Sequence, residues 1–127
     1  MKRKKAVLTD MELELMQVVW QGGPATVRQV WEDLGKRRKI AYTTVLTMMG
    51  ILEHKGHLKK KAGERAYIYS PAKPQTQVVG HMVQDFVNRV FRGSAKPLLV
   101  HLIENPSIGQ EDLLEVERLL QARRKRR

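Results

Sequence analysis

The stretch AYTTVLTMMGILEHKG, residues 41–56, places three threonines in what reads as the first two turns of a helix and a glycine near its middle. Threonine and glycine are among the poorer helix formers, so this choice gives up stability unless something other than helix formation sets it. Stepped at 100° per residue, Val45, Met48, Met49 and Leu52 fall together and form the side to bury. Opposite them lie Thr43, Leu46, Thr47, Gly50 and His54, a small, weakly polar and acid-free surface. The chemistry open to that set is recognition. A threonine hydroxyl bonds to base edges or phosphates, and its methyl packs on the methyl of thymine. Gly50 would let a duplex approach the backbone closely. Thr44 lies on the flank, placed either to cap the helix or to reach a phosphate. Leu46 is a large apolar group with no evident partner within the chain.

The elements that would hold this face outward are legible on both sides of it. Thr9-Asp10-Met11-Glu12 has capping-box spacing, and Leu8, Met11, Leu15, Val18 and Val19 follow at helical intervals up to Gly22-Gly23-Pro24. Thr26 and Gln29 repeat the device ahead of Val27, Val30, Trp31 and Leu34, and Gly35 stops that helix. The basic connector Lys36-Arg37-Arg38-Lys39 leads into the threonine-bearing helix, which ends at Lys55-Gly56. HLKKKAGERAYIYS then predicts two short antiparallel strands, 57–61 and 66–70, turning at Ala62-Gly63-Glu64-Arg65. Two helices, a candidate reading helix and a basic hairpin make the winged variant of the helix-turn-helix, whose third helix enters the major groove. On that arrangement Arg37, Arg38 and Lys39, then Lys59, Lys60 and Lys61 on the first wing strand, and Arg65 at its tip are phosphate contacts, which fix register and affinity. Tyr67 and Tyr69 point the same way from the second strand and are expected to pack on the third helix.

Pro71 and Pro74 divide the chain. Beyond them come three helical patterns and no strand. Val78, Val79, Met82, Val83, Phe86, Val90 and Phe91 stripe a helix ending at Gly93. Ser94 starts a shorter one with Leu98, Leu99, Leu102 and Ile103, broken at Asn105-Pro106. The last carries Leu113, Leu114, Val116, Leu119 and Leu120. The expected fold is therefore mostly α: a winged helix-turn-helix of three helices and a two-stranded wing over 1–72, a three-helix dimerisation region over 73–122, and a basic, disordered tail over 123–127. So small a helical segment buries too little surface to be secure alone, and a core shared with a second copy is the common solution. Val79, Met82, Phe86, Val90, Leu99, Leu102, Val116, Leu119 and Leu120 are expected in that homodimer core.

Charge agrees with a polyanionic partner. The 127 residues hold 24 Lys and Arg against 13 Asp and Glu, a formal net charge of +11 and a pI near 10.3. Residues 1–70 carry 14 bases and 7 acids, whereas most of the excess beyond them lies in the terminal Arg123-Arg124-Lys125-Arg126-Arg127. Apolar residues make up 42%, enough for a core. The absence of cysteine excludes disulfides, thiolate metal sites and thiol catalysis. No apolar run approaches the ~20 residues that span a bilayer, and the charged start MKRKK is not followed by the apolar stretch of a signal peptide. A cytoplasmic protein without membrane insertion is expected.

In order and spacing, LTDMELELMQVVW, AYTTVLTMMGILEHKGHLKK and ERAYIYSP resemble the penicillinase-repressor family of BlaI-, MecI- and CopY-like regulators. FVNRVFRGSAKPLLVHLIENPSIGQEDLLEVERLL is similar to that family's dimerisation region, so the likeness runs from about Leu8 to Leu120. It implies a homodimeric repressor that binds a dyad-symmetric operator in double-stranded DNA, with Thr43, Thr44 and Thr47 in the DNA-contacting positions of the recognition helix. In the penicillinase branch a membrane sensor peptidase triggers cleavage of an Asn-Phe bond within the dimerisation region. The matching positions here are His101 and Leu102. The copper-responsive branch has a cysteine-rich tail where this chain has a basic one, and position 51, often basic in relatives, is Ile51.

Other classes fare less well. An enzyme needs a constellation, and none assembles. His54 and His57 are three apart, but Gly56 breaks the helix that would align them into a metal site. Glu111, Asp112, Glu115 and Glu117 belong to the start and exposed side of a helix, where acids suit the dipole. No cofactor is expected. The strongest alternative is a sequence-blind, chromosome-organising nucleic-acid-binding protein. Such a protein satisfies the charge but has no use for a small, acid-free face behind a two-helix scaffold. An interaction module whose wing and tail bind an acidic partner is a third reading.

Overall fold

A computed structural model describes residues 7–126, and its element order is α1 (Asp10–Gly22), α2 (Val27–Leu34), α3 (Tyr42–His54), β1 (Leu58–Ala62), β2 (Tyr67–Pro71), α4 (Gln75–Phe91), α5 (Lys96–Glu104) and α6 (Gln110–Lys125). The fold is mostly helical, with one two-stranded antiparallel sheet among the described residues. Two compact units divide it, one ending at Met82 and the other beginning at Val83.

Reciprocal caps start the first two helices, as the sequence predicts. Thr9 N donates to Glu12 Oε1 at 2.9 Å while Glu12 N donates to Thr9 Oγ1 at 3.2 Å. Thr26 and Gln29 repeat the pair at 2.9 and 3.2 Å. Each cap satisfies amides that have no partner within the helix. The apolar stripes that follow converge on one core, in which Leu15, Met16 and Val19 of α1, Val30 and Leu34 of α2, and Val45, Met49 and Leu52 of α3 are fully buried. Burying each such side chain stabilises the fold by about 1.5–3 kcal/mol. Trp31 fixes the approach to α3: its Nε1 donates to the Ile40 carbonyl at 2.8 Å and its ring meets Tyr42 edge-on at 5.7 Å.

The wing pairs Leu58 with Pro71, Lys59 with Ser70, Lys60 with Tyr69, Lys61 with Ile68 and Ala62 with Tyr67. Its turn needs Gly63, because a Cβ there would lie 2.6 Å from the Ala66 carbonyl oxygen. A one-residue third strand that the sequence did not announce completes it. Ala25, between α1 and α2, exchanges both backbone hydrogen bonds with Tyr69, at 2.9 and 2.8 Å. Tyr69 is accordingly buried, while Tyr67 stands outside and carries Lys60 Nζ 4.4 Å from its ring centroid.

The prolines mark where α4 starts rather than where the first core ends. Val78 is buried in that core and Met82 packs against it, so the division falls after Met82 instead of at 72/73. Met82 thus serves the winged unit. Further along, α4 ends in a left-handed turn at Arg92 and Gly93 (φ 53° and 90°), closed by Gly93 N donating to Val87 O at 3.1 Å. From Val83 onward Val87 alone among the described residues is buried. The basic tail also differs from expectation: α6 continues through Arg123, Arg124 and Lys125. Arginine and lysine are good helix formers, and cations suit the negative end of the helix dipole. Arg127 lies outside the described residues. No described helix is long and apolar enough to cross a membrane.

Candidate nucleic-acid interface

Helix α3 divides as its wheel requires. Val45, Met49 and Leu52 are buried and Met48 is half-buried, while Thr43, Thr44, Thr47, Gly50 and His54 are all exposed. Leu46 and Ile51 flank the exposed strip and are 47% and 42% exposed. Thr47, Gly50, Ile51, His54 and Lys55 line a groove of about 630 Å³ along it. The helix starts at Ala41 with no side-chain cap. Thr44 therefore does not cap it, and its hydroxyl stays on the exposed flank. An uncapped helix start presents amide donors and a positive dipole end, which suit a phosphate.

Beyond the core packing of Val45, Met49 and Leu52, an ion pair that sequence reading missed ties the end of α3 to the start of α1. Lys55 Nζ, at the end of α3, donates to Glu12 Oε1 and Oε2 at 2.8 and 3.1 Å and to the Val7 carbonyl at 3.3 Å. Burial by itself would raise the Glu12 carboxyl. The hydrogen bonds from Lys55 and Thr9, with the charge of Lys55, outweigh it and hold Glu12 below its ordinary value. Glu12 was legible as half of a capping box, but the partner 43 residues on was not.

The expected phosphate contacts separate into two groups. Arg38 lies against Glu14, its Nε and Nη2 donating to the two carboxylate oxygens at 3.2 and 2.6 Å. Lys60 turns toward α3, where Nζ is 3.7 Å from Glu53 Oε1, and toward Tyr67. By contrast Arg37, Lys39, Lys59, Lys61 and Arg65 are exposed and make no ion pair among the described residues. Strand alternation explains the division: Lys60 shares a face with its pairing partner Tyr69, while Lys59 and Lys61 point from the opposite face of the wing. The run of three lysines is thus two outward cations and one staple.

His54 is exposed and His57 is buried on the far side of Gly56, whose φ is 89°. The two histidines consequently occupy different environments.

In the second unit the apolar groups assigned to a shared core stand open. Phe86, Val90, Leu99, Leu102, Val116, Leu119 and Leu120 are all exposed, Leu119 by 61%, and Val79 in the first unit is at the margin. His101 and Leu102 lie within α5, with the His101 ring 6.3 Å from that of Phe91.

Comparison with known proteins gives a consistent family. The "Penicillinase repressor" profile matches residues 8–122. The "Penicillinase repressor" of Bacillus licheniformis is 25% identical over 125 residues, 98% of either chain. The "Transcriptional regulator BlaI" of Mycobacterium tuberculosis is 36% identical over 109 residues, 84% of this chain and 79% of that protein. Among solved structures, the DNA-binding domain of the repressor BlaI aligns with a TM-score of 0.51 at 29% identity, covering 54% of this chain and 84% of that one. A profile match spanning both units, with a winged helix of the same kind as that domain, makes this chain a member of the penicillinase-repressor family.

Proposed function

We propose that this chain is a sequence-specific DNA-binding transcriptional repressor that lays α3 in the major groove of a double-stranded operator. One observation carries the reading: the outward side of α3 is a strip of exposed small groups, and the connector before it and the wing after it carry exposed cations that make no ion pair among the described residues. Thr43, Thr44 and Thr47 face the duplex. Arg37, Lys39, Lys59, Lys61 and Arg65 hold its phosphates, and Arg38 and Lys60 set the shape of the connector and wing. The chain works as a homodimer, a reading supported by the exposed apolar faces of α5, α6 and the end of α4. Two linked reading heads on a dyad bind far more tightly than one, because the second contact is effectively intramolecular. Repression follows by occlusion of polymerase in the cytoplasm and requires no cofactor.

Control by a membrane sensor peptidase would act at His101–Leu102. That bond lies inside α5, and proteases cut opened segments, so cleavage there requires local unwinding. A Val100→Pro variant, which breaks α5 and leaves the His101–Leu102 bond intact, should be cut faster than the native chain.

The test of function is gel-shift binding to DNA upstream of the chain's own gene, against a random duplex, with wild type and Thr47→Ala side by side. Preference for the upstream fragment, weakened in the variant, is expected. Equal binding to both duplexes would instead support the sequence-blind alternative.

A further inference from the structure

Given α3 as the reading helix, its side chains also restrict what is read. Tyr42–His54 contains no Arg, Lys, Asn or Gln. Those residues recognise purines in the major groove through paired contacts, Arg and Lys on guanine and Asn and Gln on adenine. The single acid of the helix, Glu53, has Lys60 Nζ 3.7 Å from its Oε1. What remains is a middle strip of Thr43, Thr47, Gly50 and, at its end, His54, with one large aliphatic group on each side. Leu46 and Ile51 stand about 140° apart on the wheel, straddling the strip. Both are exposed and neither belongs to the core. Gly50 is not demanded by packing within the chain, since a Cβ there would meet nothing within 4 Å. Its absence instead deepens the groove between Thr47, Ile51 and His54.

A base pair displays one apolar group in the major groove, the C5 methyl of thymine. We infer that this chain selects its half-site by thymine methyl groups seated against Leu46 and Ile51, and not by purine contacts of the guanine-reading kind. The exposed cations on the connector and wing fit the same class of occupant, since they suit the phosphates of a duplex. The inference rests on the proposed role of α3 but goes beyond it, because a reading helix of different composition would select by hydrogen bonds.

The test uses the full-length chain. A preferred duplex is first selected from a randomised pool. Each thymine in it is then replaced singly by deoxyuridine, which removes the methyl and keeps the hydrogen bonds. Binding is measured for wild type, Leu46→Ala and Ile51→Ala, with far-UV circular dichroism to verify the fold. At least one replacement per half-site should weaken wild-type binding about fourfold, the scale of one buried methyl. That penalty should vanish in the variant lacking the matching side chain. Penalties that are absent, or identical in wild type and both variants, would overturn the inference while leaving sequence-specific binding intact. A pool that yields no preferred duplex would remove the recognition-helix reading itself, and this inference with it.

Discussion

Replacing Lys55 with methionine removes the ammonium that ties the end of α3 to the start of α1 and keeps most of the side chain's apolar length. The carboxylate it leaves behind is in the wrong place to recover in solvent: the Glu12 side chain is 7% exposed and that of Lys55 17%. Removing one partner of a buried pair costs about 3–5 kcal/mol, and the residual exposure of this one puts the expectation near the lower end, at about 3 kcal/mol. With an m-value of about 1–3 kcal/mol/M, the urea midpoint should fall by roughly 1–3 M. The pH dependence gives the sharper check. Glu12 is held below its ordinary 4.5 in the folded chain, so the pair's contribution is fully present above that pH and is lost as pH falls through the folded value. A neutral acid has no need of the ammonium, so the difference between wild type and variant should shrink as the pH is lowered from 7 to 3. The assay is urea unfolding followed by far-UV circular dichroism at pH 7 and pH 3, at one fixed protein concentration. A variant within about 0.5 kcal/mol of wild type at pH 7, the range of an ordinary surface change, or a difference that persists unchanged at pH 3, would refute the reasoning.

The lysine run should behave unequally: Lys59→Ala and Lys61→Ala should each lower the slope of log K against log salt by about 0.9, whereas Lys60→Ala should leave the slope nearly unchanged. Arg38→Ala should resemble Lys60→Ala in the same titration, because its guanidinium lies on Glu14. Thr26→Ala removes the cap of α2 and should cost about 0.5–2 kcal/mol in thermal or urea unfolding. Leu119→Asp should shift the sedimenting species from dimer toward monomer and abolish operator binding at low protein concentration, without changing the helix content of the winged unit.

Features set by neighbours in sequence were the readable ones. Thr9 with Glu12 and Thr26 with Gln29 announced two helix starts, because a capping box closes within four residues. The division of α3 into buried and open sides followed from the helical period, because the helix is regular throughout. Features set by distant partners were silent. Nothing near Arg38 or Lys55 in the chain points to Glu14 or Glu12, and only the tertiary fold brings them together. Lys59, Lys60 and Lys61 read as equivalent until the strand pleat and Glu53 distinguish them. The Ala25–Tyr69 bridge is a strand of one residue, too short to leave a pattern. Pro71 and Pro74 did mark the end of the wing. They gave no sign that Val78 and Met82 would return to the first core from a new helix.

On the homodimer reading, the exposed apolar faces beyond Val83 make abundance a structural variable. When folding of that unit is completed by a second copy, its stability cannot be separated from the concentration of protomers. A cell that dilutes the repressor, or slows its synthesis, then loses bound operator and folded protein together. The promoter would open over a narrower range of repressor levels than a monomer could give, and the released chains would be the ones most open to degradation.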